Sequence, residues 1–475
     1  MELIWNAEDV VRAVSGHSLH EQNWIARGVS IDSRTTKPGD IFIALLGPTH
    51  DGHDHVGQAM AAGAVAAIVS RPFVQAPPES PLILCKDTFT ALQQLGQAGR
   101  ERSTASIIAV TGSVGKTGTK EMLRLMLNAM GSTYANEGSL NNQWGVPLSL
   151  ARMPPEARYG VFELGMNHAG ELGPLSLQVR PNVALITTIE AVHLEFFASV
   201  EAIADAKAEI FLSMTPGNTA VLNRDNEHFA RLAAAAKTRG LKKVLSFGRS
   251  SKCDARLKEW TPTLEGGAIR VEILGRKIDY TLGAAGEHLA LNSVGALLAA
   301  VAAGGDPEAC AAALAHYRAP QGRGAVLRLA MPEGTVTLID ESYNASPVAV
   351  RSAIRVLDSM TPEGTGGRLL VLGDMRELGE QSVELHTGLA ADIAASKINL
   401  VFCCGAMMKH VYETLPAERR GGYAEDSATL APQIIKTLRA GDIITVKGSL
   451  SMRMKLVVEA LKSHVIGETM QKKTA

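Results

Sequence analysis

Apolar positions fall into short runs divided by polar, glycine-rich loops, and strand-like and helix-like periods alternate along the chain. In the first hundred residues, Val29–Asp32 and Asp40–Leu45 read as strands joined through Lys37-Pro38-Gly39, where Pro then Gly suits a tight turn. Gln58–Ala67 reads as a small helix running into a strand at Ala66–Val69. From Ser106 the order becomes strand, glycine turn, helix. Ile107–Val110 is a short buried-strand run, and Thr119–Met130 repeats apolar side chains at Met122, Leu125, Met126 and Met130, a helical spacing. Strand runs recur at Val161–Leu164, Val183–Thr187, Thr219–Leu222 and Val244–Phe247, with helical segments between several of them. The alanine-rich Leu289–Ala303 reads as a helix closing this unit. Beyond Arg318–Gly324, a linker by composition, Thr335–Ile339, Leu369–Leu372, Leu400–Cys403 and Ile443–Val446 are strand candidates with helices between. The tail Gly467–Ala475 is polar and expected to fray.

Such alternation predicts an α/β protein of three domains. The expected units are a small N-terminal α/β domain (residues 1–103), a central P-loop-type, mainly parallel sheet with flanking helices (104–317), and a C-terminal Rossmann-like α/β domain (318–475). A length of 475 residues agrees with about three domains. Net charge is −1, so the surplus of Lys and Arg expected of a nucleic-acid binder is missing, and 4% aromatics leave few bases for stacking. The longest apolar stretch, near Val294–Ala303, is too short to span a bilayer. The start, MELIWNAEDVVRAV, lacks a basic region before an apolar run, and the five cysteines form no Cys-x-x-Cys pair. A cytoplasmic protein with reduced thiols and no membrane insertion is the expectation.

The chemistry begins at Thr111-Gly112-Ser113-Val114-Gly115-Lys116-Thr117. Gly112 and Gly115 let the backbone curl round phosphate oxygens, with the Ser113 amide between them. Lys116 supplies charge, and the Thr117 hydroxyl can ligate Mg²⁺. Val110 stands where the common pattern has its first glycine. Glu163 ends a buried-strand run and is placed to hold the metal. His193 follows another strand end, and Lys207 sits in the helical stretch Val200–Phe211; taken alone, a surface histidine and a lysine with its tip in solvent are the ordinary readings. His50-Asp51-Gly52-His53-Asp54-His55 could be a metal loop, but a polar substrate loop fits its compact spacing better. Ser33-Arg34 is a small anion fork or a plain surface arginine.

Taken together, the glycine loop, Glu163, the His193 strand end and the Ala206-Lys207 helix resemble the Mur ligase superfamily in order and spacing. The similarity continues through Gly286–Asn292, Gly322-Arg323 and Asp340–Pro347, and covers nearly the whole chain. Asp32-Ser33-Arg34 and Asp51-Gly52-His53-Asp54 are shared with the branch adding the third amino acid. Leu372-Gly373-Asp374-Met375-Arg376-Glu377-Leu378-Gly379, Lys447-Gly448-Ser449-Leu450-Ser451-Met452-Arg453 and Asn141-Asn142 resemble the branch adding D-alanyl-D-alanine. Gly118, Glu190, Ala208 and Leu450 stand where that family more often has Thr, Gly, Gly and Arg.

The resemblance implies an ATP-dependent, ADP-forming ligase of cytoplasmic peptidoglycan precursor synthesis. It would join UDP-N-acetylmuramoyl-tripeptide to D-alanyl-D-alanine through an acyl phosphate, with two Mg²⁺ ions and one active site per chain, so that a monomer suffices. By the same resemblance, Lys116 and Arg323 neutralise phosphates, and Thr117 and Glu163 hold the first metal. His193 and Lys207 serve the second, Lys207 as a carbamate. Only a neutral amine reacts with CO₂, so the Lys207 pKa is expected to be pushed down. Asn292 is expected near the adenine, and Asp340, Tyr343 and Asn344 on the nucleotide side of the hinge. Ser33, Arg34, Asp51, Gly52 and His53 are expected at the sugar nucleotide, Asn142 at the substrate, and Asp374, Lys447 and Ser449 at the incoming dipeptide. A folylpolyglutamate-type ligase shares the central and C-terminal plan, but the N-terminal segment argues against it.

Overall fold

The β-branched and leucine-rich runs form three open sheets whose central strands are buried on both faces, as parallel strands must be when helices cover both sides. The computed structural model describes residues 4–20, 23–72, 74–263, 266–331 and 333–473, without side chains beyond residue 464. In the N-terminal unit the order is His17–Ser18, Leu82–Leu84, Ala66–Val69, Asp40–Ile43, Gly28–Ser30, parallel except for the first pairing.

The central sheet has nine strands. Seven pair in parallel, in the order Ala255–Thr263, Lys243–Gly248, Thr219–Asn223, Val183–Ile186, Ser106–Thr111, Tyr159–Glu163, Thr133–Ala135. Ser106–Thr111 therefore lies between Tyr159–Glu163 and Val183–Ile186, with Val110 opposite Glu163 and Thr111 opposite Ile186. Ligands of open α/β sheets bind outside the carboxyl ends of strands, so this order places three motif loops side by side. Helix Glu287–Ala302 packs across one face, burying Val294, Leu297 and Leu298.

Ala255–Thr263, joined in parallel to Lys243–Gly248, is followed by Gly266–Ile273 and Arg276–Leu282, and these three form antiparallel hairpins at the sheet edge. They are absent from the strand runs expected above. The alternation Ile269, Val271, Ile273, then Ile278, Tyr280, Leu282 buries one face only. Leu274 and Gly275, with φ of +47° and +82°, form the tight turn.

The C-terminal sheet runs Ala325–Met331, Gly334–Glu341, Ile443–Lys447, Arg368–Gly373, Leu400–Cys404, Arg420–Ala424, with only its first pairing antiparallel. Helix Lys455–Lys473 runs through most of the tail expected to fray, because Val457, Val458 and Leu461 anchor it to this sheet; Thr474 and Ala475 lie outside the described residues.

The N-terminal unit shares a core with the central one. Trp5, Val10, Val29, Ile41, Leu92 and Leu95 pack with Leu148 and Ala151 of helix Gly145–Arg152. Trp5 Nε1 donates to Ala151 O (2.8 Å), and Arg152 Nε to Val29 O (2.6 Å). Helix Thr88–Glu101 seats on that helix through Gly96 and Gly99; an added Cβ would stand 2.6 Å from Pro147 O and 2.4 Å from Leu150 O.

Candidate active site

The phosphate loop opens at Gly112 and closes at Gly115, whose φ values are +145° and +84°. Backbone geometry and space both demand glycine here. A Cβ at Gly112 would stand 1.9 Å from Thr187 Oγ1, and one at Gly115 2.5 Å from Asn292 Nδ2. Thr187 braces the loop from below by donating to Val114 O (2.6 Å). Ser113 is tied to the neighbouring strand end: its Oγ donates to Glu190 O (3.1 Å) and accepts from Glu190 N (2.9 Å). Lys116 opens helix Lys116–Asn128, and its Nζ folds back to Gly112 O (2.7 Å). Asn292 thus lies against the loop.

Glu163 is 1% exposed, and each carboxylate oxygen has a named partner. Thr117 Oγ1 donates to Oε2 (2.7 Å), and Asn141 Nδ2 to Oε1 (2.6 Å). Asn136 closes the backbone, accepting from Glu163 N (2.9 Å) and donating to Glu163 O (3.3 Å). Asn142, expected at the substrate, lies exposed on the surface, where its Oδ1 accepts from Gly145 N (2.9 Å). Its neighbour Asn141 is the residue the sequence reading passed over, although it stood in the same motif.

Helix Val200–Ala208 is capped by Ser199, which accepts from Ala202 N, and its buried face carries Ile203, Ala204, Ala206 and Lys207. Lys207 is 1% exposed and has no hydrogen bond or ion pair among the described residues. The ordinary reading of a helical lysine with its tip in water fails here. Burial first, and the nearby Lys116 charge second, push its pKa well below the usual lysine value. Burial also lowers Lys116, against the Glu163 charge that raises it and with that of Arg323. His193 holds a left-handed backbone (φ +55°), and its Nδ1 meets the Glu377 carboxylate. Burial lowers its pKa, opposed by Glu377 and assisted by Lys116 and Lys207.

Arg323 lies 4.0 Å over the Tyr343 ring, and the Tyr343 hydroxyl meets Ser139 Oγ at 2.5 Å, joining the hinge to the central domain. Thr117, Ser139, Arg323 and Tyr343 line a cavity of about 470 Å³. Asp340 faces inward rather than toward it. Its Oδ2 accepts from Gly322 N (2.9 Å) and its Oδ1 from Ser342 Oγ (2.6 Å), which fixes the hinge. Asn344 offers its carbonyl to Lys447 Nζ (3.0 Å).

The other expected residues sit at strand ends of the outer domains. Ser33 Oγ donates to Gln58 Oε1 (2.9 Å), and the exposed Arg34 forks onto Asp32 (2.6 Å). His53 is buried: Nδ1 donates to Asp51 (2.6 Å), and Nε2 accepts from Ser70 N (2.9 Å), so the ring shapes its loop and offers no free nitrogen. Gly52 presses on Leu45, where a Cβ would stand 2.7 Å from its backbone N. Lys447, 4% exposed, is an internal tie to Glu341 (2.8 Å). Asp374 accepts from Met408 N (2.8 Å) and Ser449 Oγ from Arg376 N (3.0 Å), so both shape their loops from beneath.

Comparison with known proteins agrees with this layout from end to end. The family descriptions "Mur ligase family, catalytic domain", "Mur ligase middle domain" and "Mur ligase, glutamate ligase domain" match residues 26–98, 110–300 and 322–450. A relative from Rickettsia prowazekii (strain Madrid E), named UDP-N-acetylmuramoyl-tripeptide--D-alanyl-D-alanine ligase, is 34% identical over 96% of this chain and 99% of its own. A crystal structure of MurF from Acinetobacter baumannii superposes with a TM-score of 0.84 at 30% identity, covering 97% of this chain and 99% of that one. MurF ligase from Thermotoga maritima, solved in complex with ADP, gives 0.77 at 26% identity, covering 93% and 98%. With three domains matched in order and a relative a third identical along its entire length, the chain belongs to the Mur ligase family.

Proposed function

We propose that this protein is the ATP-dependent ligase that forms an amide bond between UDP-N-acetylmuramoyl-tripeptide and D-alanyl-D-alanine, with ADP and phosphate as products, in peptidoglycan precursor synthesis. The observation that carries the reading is the end-to-end likeness to a relative bearing that ligase name. The cluster of buried Glu163 and Lys207 with half-buried Lys116 and His193 supplies the chemistry. A chain without membrane-length apolar helices among its described residues suits a cytoplasmic reaction on a nucleotide-linked substrate.

A carboxylate is a poor acyl donor, because its leaving group would be oxide. Attack of a tripeptide carboxylate oxygen on the γ-phosphorus expels ADP and gives an acyl phosphate. The dipeptide amine then adds to the carbonyl carbon, loses its proton, and orthophosphate leaves. Two anions must meet in the first step, so cations at that point lower the barrier. Lys116 and Arg323 fill that role, with the backbone N–H groups of Gly112, Ser113 and Gly115 cradling phosphate oxygens. Asn292 and the cavity beside Tyr343 and Asn344 receive the nucleoside. Asp340 holds the hinge in register.

The oxygen donors fit Mg²⁺, a hydroxyl and a carboxylate oxygen 2.7 Å apart beside the phosphate loop, whereas the buried amine of Lys207 would offer oxygens only as a carbamate, with the His193 imidazole beside it. Thr117 and Glu163 would hold one ion, and His193 and Lys207 a second. When bound, the ions neutralise phosphate charge and orient the γ-phosphate. Lys207 suits carbamate formation, since the neutral amine that attacks CO₂ is the form its burial favours. Arg34 is a rim cation that can exchange Asp32 for a diphosphate, beside the loop of Ser33, Asp51, Gly52 and His53. The loops set by Asp374, Lys447 and Ser449 receive the dipeptide. One complete set of these residues per chain lets a monomer act. The working boundaries are 1–103, 104–317 and 318–475.

The test places oxygen-18 in the terminal carboxylate of the tripeptide. Turnover with ATP and D-alanyl-D-alanine is expected to deliver one labelled oxygen to the released phosphate. Label retained wholly in the peptide, or phosphate release without a new amide, overturns the reading.

A further inference from the structure

His193 and Glu377 belong to different domains, yet their side chains meet directly. His193 follows the central strand Val183–Ile186, and Glu377 follows the C-terminal strand Arg368–Gly373. The His193 Nδ1–H donates to the Glu377 carboxylate. Glu195 N donates to Glu377 O (3.3 Å), and a Cβ at Gly379 would stand 3.4 Å from Glu195 Cα, so the two loops touch along their backbones as well. Both linked residues hold left-handed backbones without being glycine, at φ +55° and +62°. Such conformations persist where surrounding structure fixes them, and they gather at functional sites. His193 Nε2 has no protein partner among the described residues, while Lys116 and Lys207 lie within electrostatic reach of the ring.

An imidazole that binds a cation must present a lone pair on one nitrogen and carry its proton on the other. A carboxylate on that second nitrogen fixes both the tautomer and the ring orientation. Here the carboxylate comes from the opposite side of the hinge.

We propose that Glu377 is a positioning residue for His193: by holding Nδ1 it leaves Nε2 as the ligating atom facing the Lys116–Glu163–Lys207 cluster, so that the second cation site is complete only when the C-terminal domain is docked. The proposal rests on the reading of His193 as a metal ligand given above. It makes domain closure and metal loading one event. The carboxylate is absent from the site when the domain swings away, and the first site, on Thr117 and Glu163, does not depend on it.

The test is a Mn²⁺ titration of the full-length protein with β,γ-methylene-ATP, with free Mn²⁺ read by electron paramagnetic resonance and closure by small-angle scattering. Wild type is compared with His193→Ala, Glu377→Ala and Glu377→Gln. Glu377→Ala is expected to weaken the second Mn²⁺ by about 10- to 100-fold while leaving the first unchanged. Glu377→Gln, whose amide oxygen still accepts from Nδ1–H, should recover most of the loss, and the double variant should be no worse than His193→Ala. If His193→Ala loses the second ion and Glu377→Ala keeps it, the proposal is wrong and the reading of His193 stands. If neither variant changes it, that reading falls and the proposal with it. Tighter binding in Glu377→Ala would mean that the carboxylate competes with the metal, which also overturns it. Should Glu377→Ala fail to fold, the near-isosteric Glu377→Gln against His193→Ala decides: wild-type scattering with second-site affinity as weak as in His193→Ala refutes rescue by an accepting oxygen.

Discussion

A lysine almost wholly withdrawn from water, with no partner among the described residues, is a costly thing for a protein to keep, and Lys207 is kept that way beside a second cation. The proposed carbamate would resolve the conflict by turning the amine into an anion next to Lys116. Native mass spectrometry in bicarbonate buffer is expected to show a mass gain of one CO₂ on the wild type and none on Lys207→Ala. Lys207→Ala should lose at least about 100-fold in kcat, the scale of other positioned catalytic groups. The depressed pKa keeps the amine neutral to lower pH than an ordinary lysine. The modified fraction should therefore persist to lower pH than an ordinary lysine would allow and fall as pH drops through that lowered pKa; a modified fraction that rises on acidification would contradict this. Asn141 and Asn142 offer a paired contrast. Asn141→Ala strips one hydrogen bond from a buried carboxylate and should cost about 1–3 kcal/mol of stability together with a higher Mg²⁺ requirement. Asn142→Ala loses only an exposed contact to Gly145 N, about 1 kcal/mol, and as a substrate residue should lower kcat/KM with Mg²⁺ requirement unchanged; an unchanged kcat/KM would remove it from the substrate site.

At the scale of elements, helix Thr88–Glu101 shows what close approach requires. Gly99→Ala would push a methyl to 2.4 Å from Leu150 O, a backbone atom that cannot swing aside. About 1–3 kcal/mol of overpacking should follow, read as a lower Tm, while a melt unchanged from wild type would mean the two helices slide apart freely. The elements most legible in the sequence were those with a single demanding cause. Two-sided burial wrote Val183–Ile186 and Ile443–Lys447 as plain apolar runs, and phosphate binding wrote Gly112 to Thr117 as a motif. The hairpins of Ala255–Leu282 were legible by alternation but lay in a stretch without motif chemistry, where attention to parallel strands concealed them. The site was legible where a residue acts through its own side chain. It was not where residues act through another: Asn141 on Glu163, Thr187 under the loop, Glu377 on His193, each joined only by the fold. His53 and Asp340 show a different side of the same point: the fold uses both to fasten their loops, a role that a polar residue's type alone does not announce.

On the scale of the whole molecule, the two outer domains are attached differently. The N-terminal unit shares an apolar core with the central one. The C-terminal unit keeps its apolar clusters to itself and meets the central one at contacts that include the hinge, the Ser139–Tyr343 pair, the His193–Glu377 link and the approach of Gly286 to Val356. Motion is therefore expected of the C-terminal domain alone. Scattering should show compaction when ATP analogue and sugar nucleotide are both saturating, and Tyr343→Phe should lessen it; no compaction at saturation would remove closure from the mechanism. The welded N-terminal core has its own consequence. If one end of the donor is pinned on that unit and the phosphate loop cannot shift relative to it, the span between them works as a fixed caliper. A donor one residue too short or too long would bind as firmly yet bring its carboxylate to the wrong place, so selection for peptide length would be read in turnover and not in affinity.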